Sequence, residues 1–182
     1  MVKNSLFLKN MVYSPNMKKI ETFTTPETEF LSNFYPYKQF QEDEMCPHDV
    51  DVSYMGLQFK CVENAYMAAK CDSVDDMVKF IDKTPHWAKD YSVQGLISVR
   101  KDWDSIKIAV MTDLVWQKFA NNPELKKMLL DTGDMELIEG NTWGDVFWGV
   151  CEGKGQNHLG KILMMTRDKL RKIEPVSGIL QP

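Results

Sequence analysis

The spacing of apolar residues along the chain predicts a mainly helical protein. Three segments, 62–70, 102–120 and 157–173, repeat apolar residues at positions i, i+3, i+4 and i+7, which is the spacing that gives a helix one buried face. The segment 102–120 has the widest apolar face, so it is predicted to be the central core helix.

Shorter helices are predicted where a capping residue or a proline precedes an apolar segment. Ser73 begins a capping box. Thr84-Pro85 and Asn122-Pro123 each place a proline at the first helical position, where its missing N–H is not needed. Asp102 is the predicted N-cap of the long helix. The middle of the chain therefore carries several clear helix starts.

Strand-like alternation is restricted to short segments. Residues 20–24 and 135–139 alternate apolar and polar positions, and residues 50–59 do so in places around Gly56, a predicted turn. Several helices combined with a few short strands predict an α+β fold that is mainly helical.

The length predicts a single domain. A chain of 182 residues is long enough to bury a core and is most simply one domain. Helix and strand patterns occupy residues 20–173, which is the predicted domain. Residues 1–19 are predicted to form a flexible leader and residues 174–182 a flexible tail.

Composition and charge narrow the classes of function. The net charge of −4 argues against a protein held to nucleic acid mainly by neutralising phosphates, but a nucleic acid gripped at one small element remains open as a substrate. Four cysteines and three histidines show no zinc-ligand spacing, so neither a metal nor a cofactor is expected. No apolar run has the length of a membrane span, and no signal peptide is apparent. We therefore expect a cytoplasmic protein without a membrane partner.

The segment 141–160 combines tryptophans, a carboxylate and glycines directly before a predicted helix. Asn157 is the predicted N-cap of that helix. Backbone N–H groups between Gly155 and Gly160 are predicted to be free, which would form a cradle for an anion such as phosphate. The glycines also resemble a P-loop, but Ile162 follows the lysine where a nucleoside triphosphatase needs Ser or Thr, so that class is disfavoured. The alternative is that the glycines only turn the chain.

Helix 62–70 carries a pair of charged residues. Glu63 and Lys70 lie seven residues apart, which is two helical turns and about 10 Å along the axis, too far for an ordinary i,i+4 ion pair. With the apolar Met67 between them, the two residues predict one wall of a cleft. The alternative is a solvated helix edge, which the pattern alone favours.

Two further places combine aromatic and polar residues. Arg100 and Trp103 bracket the N-terminus of the long helix, where an anion is favoured and a ring can stack on a base. Asn33 lies at a break between apolar residues, where its side chain can face a ligand. For Trp103 and Trp148 core packing is an equal alternative. The other tryptophans are assigned to the core: Trp87, Trp116 and Trp143.

Four motifs resemble those of one protein family. They are Phe30-Leu-Ser-Asn-Phe34, Val62-Glu-Asn-Ala-Tyr-Met-Ala-Ala-Lys70, Val99-Arg-Lys-Asp-Trp103, and Asp145-Val-Phe-Trp148-Gly149 followed by Gly153-Lys-Gly-Gln-Asn157-His-Leu-Gly160. In order and spacing they are similar to the NADAR (YbiA-like) family, from about residue 20 to residue 172. The resemblance implies a YbiA-like fold and an N-glycosidase that cleaves a bond between a ribose and a nitrogen base.

The resemblance also implies roles for individual residues. Glu63 matches the family's catalytic glutamate, Lys70 the lysine that follows it on the same helix, and Asp145 a pocket aspartate that is the third catalytic candidate. The other candidates are expected to bind substrate: Asn33, Phe34, Arg100, Trp103, Trp148, Gly149, Gly155, Asn157 and Gly160. Two departures bear on substrate choice, at Cys61-Val62, where many relatives have a hydroxyl residue, and at 42–54, which looks like an insertion.

The implied substrate is ADP-ribose attached to guanine, in a nucleotide or in single-stranded nucleic acid. The alternatives are a ribosyl-phosphate aminopyrimidine of riboflavin biosynthesis, and a module that binds ADP-ribose without cleaving it. In one route, Glu63 and Asp145 divide the tasks of stabilising the sugar cation and protonating the base. In a second, preferred route, unprotonated Lys70 attacks the opened ribose and forms a Schiff base, which requires a lowered lysine pKa.

Overall fold

The structure, a computed structural model, describes residue 13 and residues 17–38, 41–45 and 50–173. Helices dominate this part of the chain: α1 (Val62–Ala69), α2 (Val74–Met77), α3 (Pro85–Val93), α4 (Trp103–Ala120), α5 (Pro123–Asp131) and α6 (His158–Ile173). Short 3-10 helices lie at Glu29–Leu31 and Val78–Phe80. The predicted mainly helical α+β fold is confirmed.

Two predictions fall largely outside the described residues. Most of the predicted leader and the whole predicted tail lie there, so both stay predictions. Residues 46–49 of the predicted insertion at 42–54 also lie outside the described residues.

The strands are short and pair two by two. They are β1 (Lys19–Ile20), β2 (Tyr37–Lys38), β3 (Gln41–Met45), β4 (Val52–Tyr54), β5 (Leu57–Phe59), β6 (Glu136–Leu137), β7 (Gly140–Asn141) and β8 (Val150–Cys151). Strand β1 pairs with β6 and β7 with β8 in parallel, whereas β2–β3 and β4–β5 are antiparallel. Gly56, with a φ of 80°, lies in the β4–β5 turn, as predicted.

Helix α4 is the central element of the core. It packs against α1, α5 and α6, and Met111, Leu114 and Val115 are buried along it. Near its C-terminus, the ring of Phe119 meets that of Phe30 edge to face, with 6.4 Å between centroids. Burial of each large apolar side chain contributes about 1.5–3 kcal/mol to the free energy of folding. This packing therefore holds α1 and α6 firmly around α4.

Side-chain caps confirm three of the predicted helix starts. Ser73 caps α2, Thr84 caps α3 and Asn122 caps α5, each accepting a backbone N–H of the first turn. Asp102 precedes α4, but its side chain forms no cap. Its carboxylate instead accepts from the Arg100 guanidinium at 2.6 and 3.0 Å. The predicted capping role of the Asp102 side chain is therefore wrong, because the ion pair engages both of its oxygens.

Helix α1 is buried along its whole length, including its polar residues Glu63 and Asn64. The Asn64 amide donates to the carbonyls of Phe80 and Lys83 at 2.8 and 2.6 Å. Cys61 caps the helix, since its sulfur accepts from the Asn64 N–H. Glu63 is only 7% exposed, so the alternative of a solvated helix edge is wrong for this residue.

Candidate active site

A cleft of about 390 Å³ opens beside α1. Its walls come from residues 32–34, α1, α3, the first half of α4, the segment 139–148 and the start of α6. Seven of the predicted site residues line it: Asn33, Phe34, Glu63, Lys70, Trp103, Asp145 and Trp148. Small-molecule sites span about 300–1,000 Å³. The cleft is therefore the candidate active site.

Glu63 faces the cleft from the first turn of α1. Its backbone N–H donates to the Asn33 carbonyl at 3.0 Å, which joins that segment to the helix. Burial raises the pKa of the Glu63 carboxyl above its ordinary value of 4.5, and Asp145 adds to the rise. Lys89 and Lys70 oppose it. Burial has the largest effect, because the ionised carboxylate loses hydration that the lysines only partly replace.

Lys70 follows the last turn of α1 and reaches the same cleft. Its amine lies 3.5 Å from the Ser92 hydroxyl oxygen. It also lies 5.5 and 6.0 Å from the ring centroids of Tyr66 and Trp103. Burial lowers the pKa of the Lys70 amine below its ordinary value, and Glu63 opposes this effect. A lowered pKa leaves more of the amine unprotonated at neutral pH, which is the form that attacks carbon.

Aromatic rings form a continuous surface inside the cleft. The ring of Tyr66 lies 4.9 Å from that of Trp103 and 5.5 Å from that of Trp148, between centroids. Phe147 adds a ring 5.0 Å from Trp148. Trp103 and Trp148 both pack against the core and line the cleft. The two interpretations of these tryptophans are therefore compatible, since each ring has one side for the core and an edge or face for a ligand.

Asp145 is held in a tight turn by hydrogen bonds. Its Oδ1 accepts from the backbone N–H groups of Phe147 and Trp148 at 3.0 and 2.8 Å. The Asn141 amide brackets the Asp145 backbone, accepting its N–H at 3.0 Å and donating to its carbonyl at 2.7 Å. Asp and Asn favour such self-bonded turns. One carboxylate oxygen of Asp145 is therefore engaged in positioning Trp148.

The cleft also contains residues to which the sequence assigned no role in the site. Lys89, Lys107, Glu139 and Phe147 all line it. The position of Glu139 could have indicated a site residue, because this polar residue ends the predicted strand 135–139 directly before the glycine-rich segment. No comparable signal marks the two lysines, since solvated lysines are common on helices.

The tryptophans assigned to the core behave differently from one another. Trp87 and Trp116 pack against the core, as predicted. Trp143 is 43% exposed and lines the cleft, with the Lys89 amine 5.4 Å from its ring centroid. The core prediction for Trp143 is therefore wrong, because its loop passes over the cleft rather than under a helix.

Glu139 brings a third carboxyl group to the cleft. Its Oε2 atom is buried and has no hydrogen-bond partner among the described residues. Burial raises the pKa of Glu139 to about 8, and the neighbouring carboxyls of Asp145 and Glu63 contribute to the rise. Lys89 and Lys118 oppose it. At neutral pH this carboxyl is therefore mainly protonated, unlike an ordinary glutamate.

Arg100 does not reach the cleft. Its guanidinium binds Asp102 and donates to the Tyr54 hydroxyl at 2.9 Å, and it borders a separate cavity with Cys71 and Met77. The charge of Arg100 therefore joins the β4–β5 hairpin to the start of α4. The predicted contact between Arg100 and a substrate in the cleft is not supported.

The predicted anion cradle between Gly155 and Gly160 is wrong. The backbone N–H groups of Gln156, Asn157, His158 and Leu159 donate to the carbonyls of residues 146–149, and that of Lys161 donates to Asn157. The N-terminus of α6 is therefore closed by the preceding chain, and these N–H groups are not available to a phosphate.

The glycines and Asn157 instead allow backbone segments to pack closely. A Cβ on Gly149 would lie 2.1 Å from the Glu139 carbonyl oxygen, and one on Gly160 would lie 2.0 Å from that of Leu137. Asn157 has a φ of 52°. Its side chain does not cap α6 but accepts the Glu139 N–H at 3.0 Å and donates to the Leu137 carbonyl at 2.9 Å. Four predicted substrate-binding residues are thus absent from the cleft lining: Gly149, Gly155, Asn157 and Gly160.

Carboxyl groups, amines and aromatic rings make up the chemistry of the cleft. Within residues 17–38, 41–45 and 50–173, no group of three or more His, Cys, Asp or Glu side chains could hold a metal ion. In that same part of the chain, no helix combines the length and the apolar character needed to cross a membrane.

An α+β domain with a carboxyl and an amine on one buried helix, facing aromatic rings, has the features of an enzyme for a charged ligand with an aromatic base. The NADAR domain family profile matches residues 22–171. The chain therefore belongs to the NADAR family, which confirms the resemblance seen in the sequence.

Similar proteins agree with this assignment. The chain is 32% identical over 157 residues to an N-glycosidase of Nostoc punctiforme, covering 84% of this chain and 97% of that protein. It is 33% identical over 150 residues to a riboflavin biosynthesis protein of Vibrio vulnificus, covering 80% of this chain but only 36% of that longer protein. The NMR structure of YbiA from Escherichia coli has a TM-score of 0.69 at 23% identity, covering 93% of this chain and 99% of that one, which shows the shared fold.

Proposed function

We propose that this protein is an N-glycosidase that hydrolyses the bond between a ribose carbon and the nitrogen of a base, and that it removes ADP-ribose from guanine. The observation that carries the proposal is the placement of Glu63 and Lys70 on one wall of an aromatic cleft. Membership of the NADAR family and the name of the Nostoc relative support the reaction class. A nucleotide or a single strand suits the net charge of −4, and the modified base would have to leave a duplex to enter the cleft.

The Lys70 route begins with opening of the ribose. When the glycosidic nitrogen is an amino group on the base, its lone pair displaces the ring oxygen, which takes up a proton, and an imine forms at the anomeric carbon. The Lys70 amine adds to that carbon, and the base departs as an amine after gaining a proton. Water then hydrolyses the lysine Schiff base to the aldehyde, which closes again. The Glu63 carboxylate stabilises the positive charge that develops at this carbon.

A direct route without lysine attack uses Glu63 to stabilise the sugar cation and Asp145 to protonate the base. Both residues line the cleft. One oxygen of Asp145 is already bound by two backbone N–H groups, whereas Lys70 has a lowered pKa that suits a nucleophile. We therefore prefer the Lys70 route.

A ribosyl-phosphate aminopyrimidine is the second candidate substrate. The riboflavin biosynthesis protein of Vibrio vulnificus, 33% identical over 150 residues, favours it. ADP-ribosyl-guanine carries two bases, adenine and guanine, and a diphosphate, whereas the aminopyrimidine carries one base and one phosphate. Trp103 and Trp148 meet at Tyr66, and Trp143 provides a further, exposed ring. A second stacking surface is better matched to the larger ligand.

Purified protein should be offered three substrates in parallel: an oligonucleotide with ADP-ribosyl-guanine, a ribosyl-phosphate aminopyrimidine, and unmodified guanosine. We expect release of ADP-ribose from the first and no cleavage of the third, with products separated by chromatography and identified by mass spectrometry. Release from the aminopyrimidine alone would replace the first substrate by the second. Binding without cleavage of any substrate, measured by calorimetry, would make the protein a binding module.

The phosphates of the substrate require a cation, and Lys89 is the candidate. It lines the cleft and forms no ion pair with another described residue, whereas Lys107 is paired with Asp104 at 2.8 Å. Lys89→Ala is expected to raise KM about 10-fold, because a charge-assisted hydrogen bond contributes about 1.5–3 kcal/mol. The salt dependence of KM should also weaken.

Lys83 offers a matched control, because its amine also lies over an aromatic ring but outside the cleft. Lys83→Ala removes a lysine whose amine lies 5.4 Å from the Trp87 ring centroid and which does not line the cleft. It should leave KM unchanged. An unchanged KM and salt dependence in Lys89→Ala would remove Lys89 from phosphate binding.

A further inference from the structure

Glu139 contributes a carboxyl group to the cleft, and neither the Lys70 route nor the direct route assigns it a role. It lines the cleft, and its Oε2 atom is buried without a hydrogen-bond partner among the described residues. A buried polar atom without a partner costs free energy, so folded proteins rarely keep one unless it has a task. A ligand atom in the cleft is the partner that this oxygen can acquire.

The glycine-rich segment holds the backbone of Glu139 in place. The Glu139 N–H donates to Asn157 Oδ1 at 3.0 Å, and the Glu139 carbonyl accepts the Val150 N–H at 2.8 Å. The lack of a side chain at Gly149 permits this approach, since a Cβ there would lie 2.1 Å from the Glu139 carbonyl oxygen. Backbone contacts on both sides therefore fix the position from which the carboxyl enters the cleft.

We propose that Glu139 is the acid that protonates the departing base nitrogen and then the base that activates the hydrolytic water. The inference rests on the proposed N-glycosidase function. As the bond between the ribose carbon and the base nitrogen breaks, its electron pair goes to the nitrogen, and the Glu139 carboxyl transfers its proton there. The carboxylate that remains accepts a proton from the water that adds to the Lys70 Schiff base. The acid form is thereby restored for the next cycle.

The surroundings of Glu139 suit this task better than those of Asp145. Charged groups face it from each packed element: Glu63 from α1, Lys89 from α3, Lys118 from α4, and Asp145 from the following loop. Burial and the two carboxyls raise the pKa of Glu139 to about 8, so the proton is present at neutral pH. The Oδ1 atom of Asp145, in contrast, accepts two backbone N–H groups, which makes Asp145 a positioning residue for Trp148.

The test compares the pH profiles of the wild type and Glu139→Gln on two ribosyl substrates that differ in the group that leaves. Wild-type kcat/KM should fall as pH rises through about 8, because the acid form of the free enzyme is lost. In Glu139→Gln, kcat for the natural base should fall about 100-fold at pH 7, a typical contribution of a general acid, and the decline near pH 8 should disappear. Single-turnover release of an electron-poor aryl amine from its ribosylamine, a step that needs no protonation and precedes hydrolysis of the Schiff base, should slow by less than about 3-fold.

Glu136→Gln is the matched control, since Glu136 is exposed on β6 and outside the cleft, and it should keep the wild-type profile. An equal loss with both leaving groups, or a decline near pH 8 that persists in Glu139→Gln, would overturn the acid role. These outcomes require an active wild type. A wild type that cleaves neither ribosyl substrate would instead overturn the proposed function itself.

Discussion

Replacement of Lys70 by alanine is expected to lower turnover at least about 10³-fold, because removal of a nucleophile eliminates the covalent route rather than weakening it. Substrate binding should persist, since the aromatic surface and Glu63 remain. The measurement is single-turnover release of ADP-ribose together with calorimetric binding. Burial lowers the pKa of the Lys70 amine. On the acidic limb of the pH profile, wild-type activity should therefore rise as the Lys70 amine loses its proton, at a lower pH than for an exposed lysine. Loss of the Glu139 proton accounts for the decline on the alkaline limb.

Borohydride trapping identifies the intermediate directly. Addition of the reagent during turnover should reduce the Schiff base to a stable adduct, and peptide mass spectrometry should locate that adduct on Lys70. The adduct should be absent from Lys70→Ala and present in Lys79→Ala, which removes an exposed lysine paired with Asp76 at 2.6 Å. Full wild-type turnover without an adduct, together with an active Lys70→Ala, would leave the route that uses Glu63 and a second carboxyl.

The helices were predictable because their signals are local. Apolar spacing of 3.6 residues and the caps at Ser73, Thr84 and Asn122 depend on neighbours within one or two turns. The same local reasoning failed at Asp102, because its carboxylate pairs with Arg100, and local propensity does not weigh an ion pair against a cap. The burial of Glu63 was also beyond local pattern, since it follows from the packing of α1 against elements distant in sequence, such as α3, α4 and β4.

The cleft was only partly predictable, because its members meet through distant contacts. Glu63 and Lys70 share one helix, so their spacing could be read from the sequence. Glu139 enters the cleft through β6, β7 and the side chain of Asn157, which are pairings across many residues. The predicted anion cradle in the glycine-rich segment was wrong for the same reason. Its N–H groups are free in isolation, but the carbonyls of residues 146–149 occupy them in the fold.

The family resemblance supplied what residue patterns could not. Pattern alone favoured a solvated edge for Glu63 and Lys70, whereas the motifs placed both in a catalytic site. The structure brings them together with Trp103 and Trp148, but not with Arg100. The motif at residues 99–103 therefore transferred only one of its two predicted site residues, because the Arg100 guanidinium binds Asp102 and Tyr54 instead of reaching the cleft.

Glu63→Gln is expected to lower activity while raising stability. The amide keeps the size of the side chain but cannot stabilise positive charge at the ribose carbon, so kcat should fall about 10³-fold, as for other electrostatic groups of an active site. Glu63 also opposes the lowering of the Lys70 pKa. Without it the Lys70 pKa should fall further, so the residual activity should rise at lower pH than in the wild type.

The stability of Glu63→Gln follows from the direction of the Glu63 pKa. Because burial raises this pKa in the folded state, the wild type has its full stability from this group below pH about 4.5 and loses it as pH rises through the folded-state pKa. Glutamine stays neutral and has no such loss. Tm of the variant should therefore exceed that of the wild type at neutral pH, by roughly 2–4 °C for each kcal/mol gained, and the difference should close near pH 4.

Calorimetric melting at several pH values, combined with kinetics, separates the two possible roles of Glu63. A group kept for catalysis at a cost in stability gives opposite changes in kcat and Tm when it is replaced. If Tm instead falls together with kcat, the lysines opposite Glu63 require its charge for folding, and the loss of activity would reflect a damaged cleft. If kcat is unchanged, the charge of Glu63 has no part in the reaction, and the cation at the ribose carbon must be stabilised by another group.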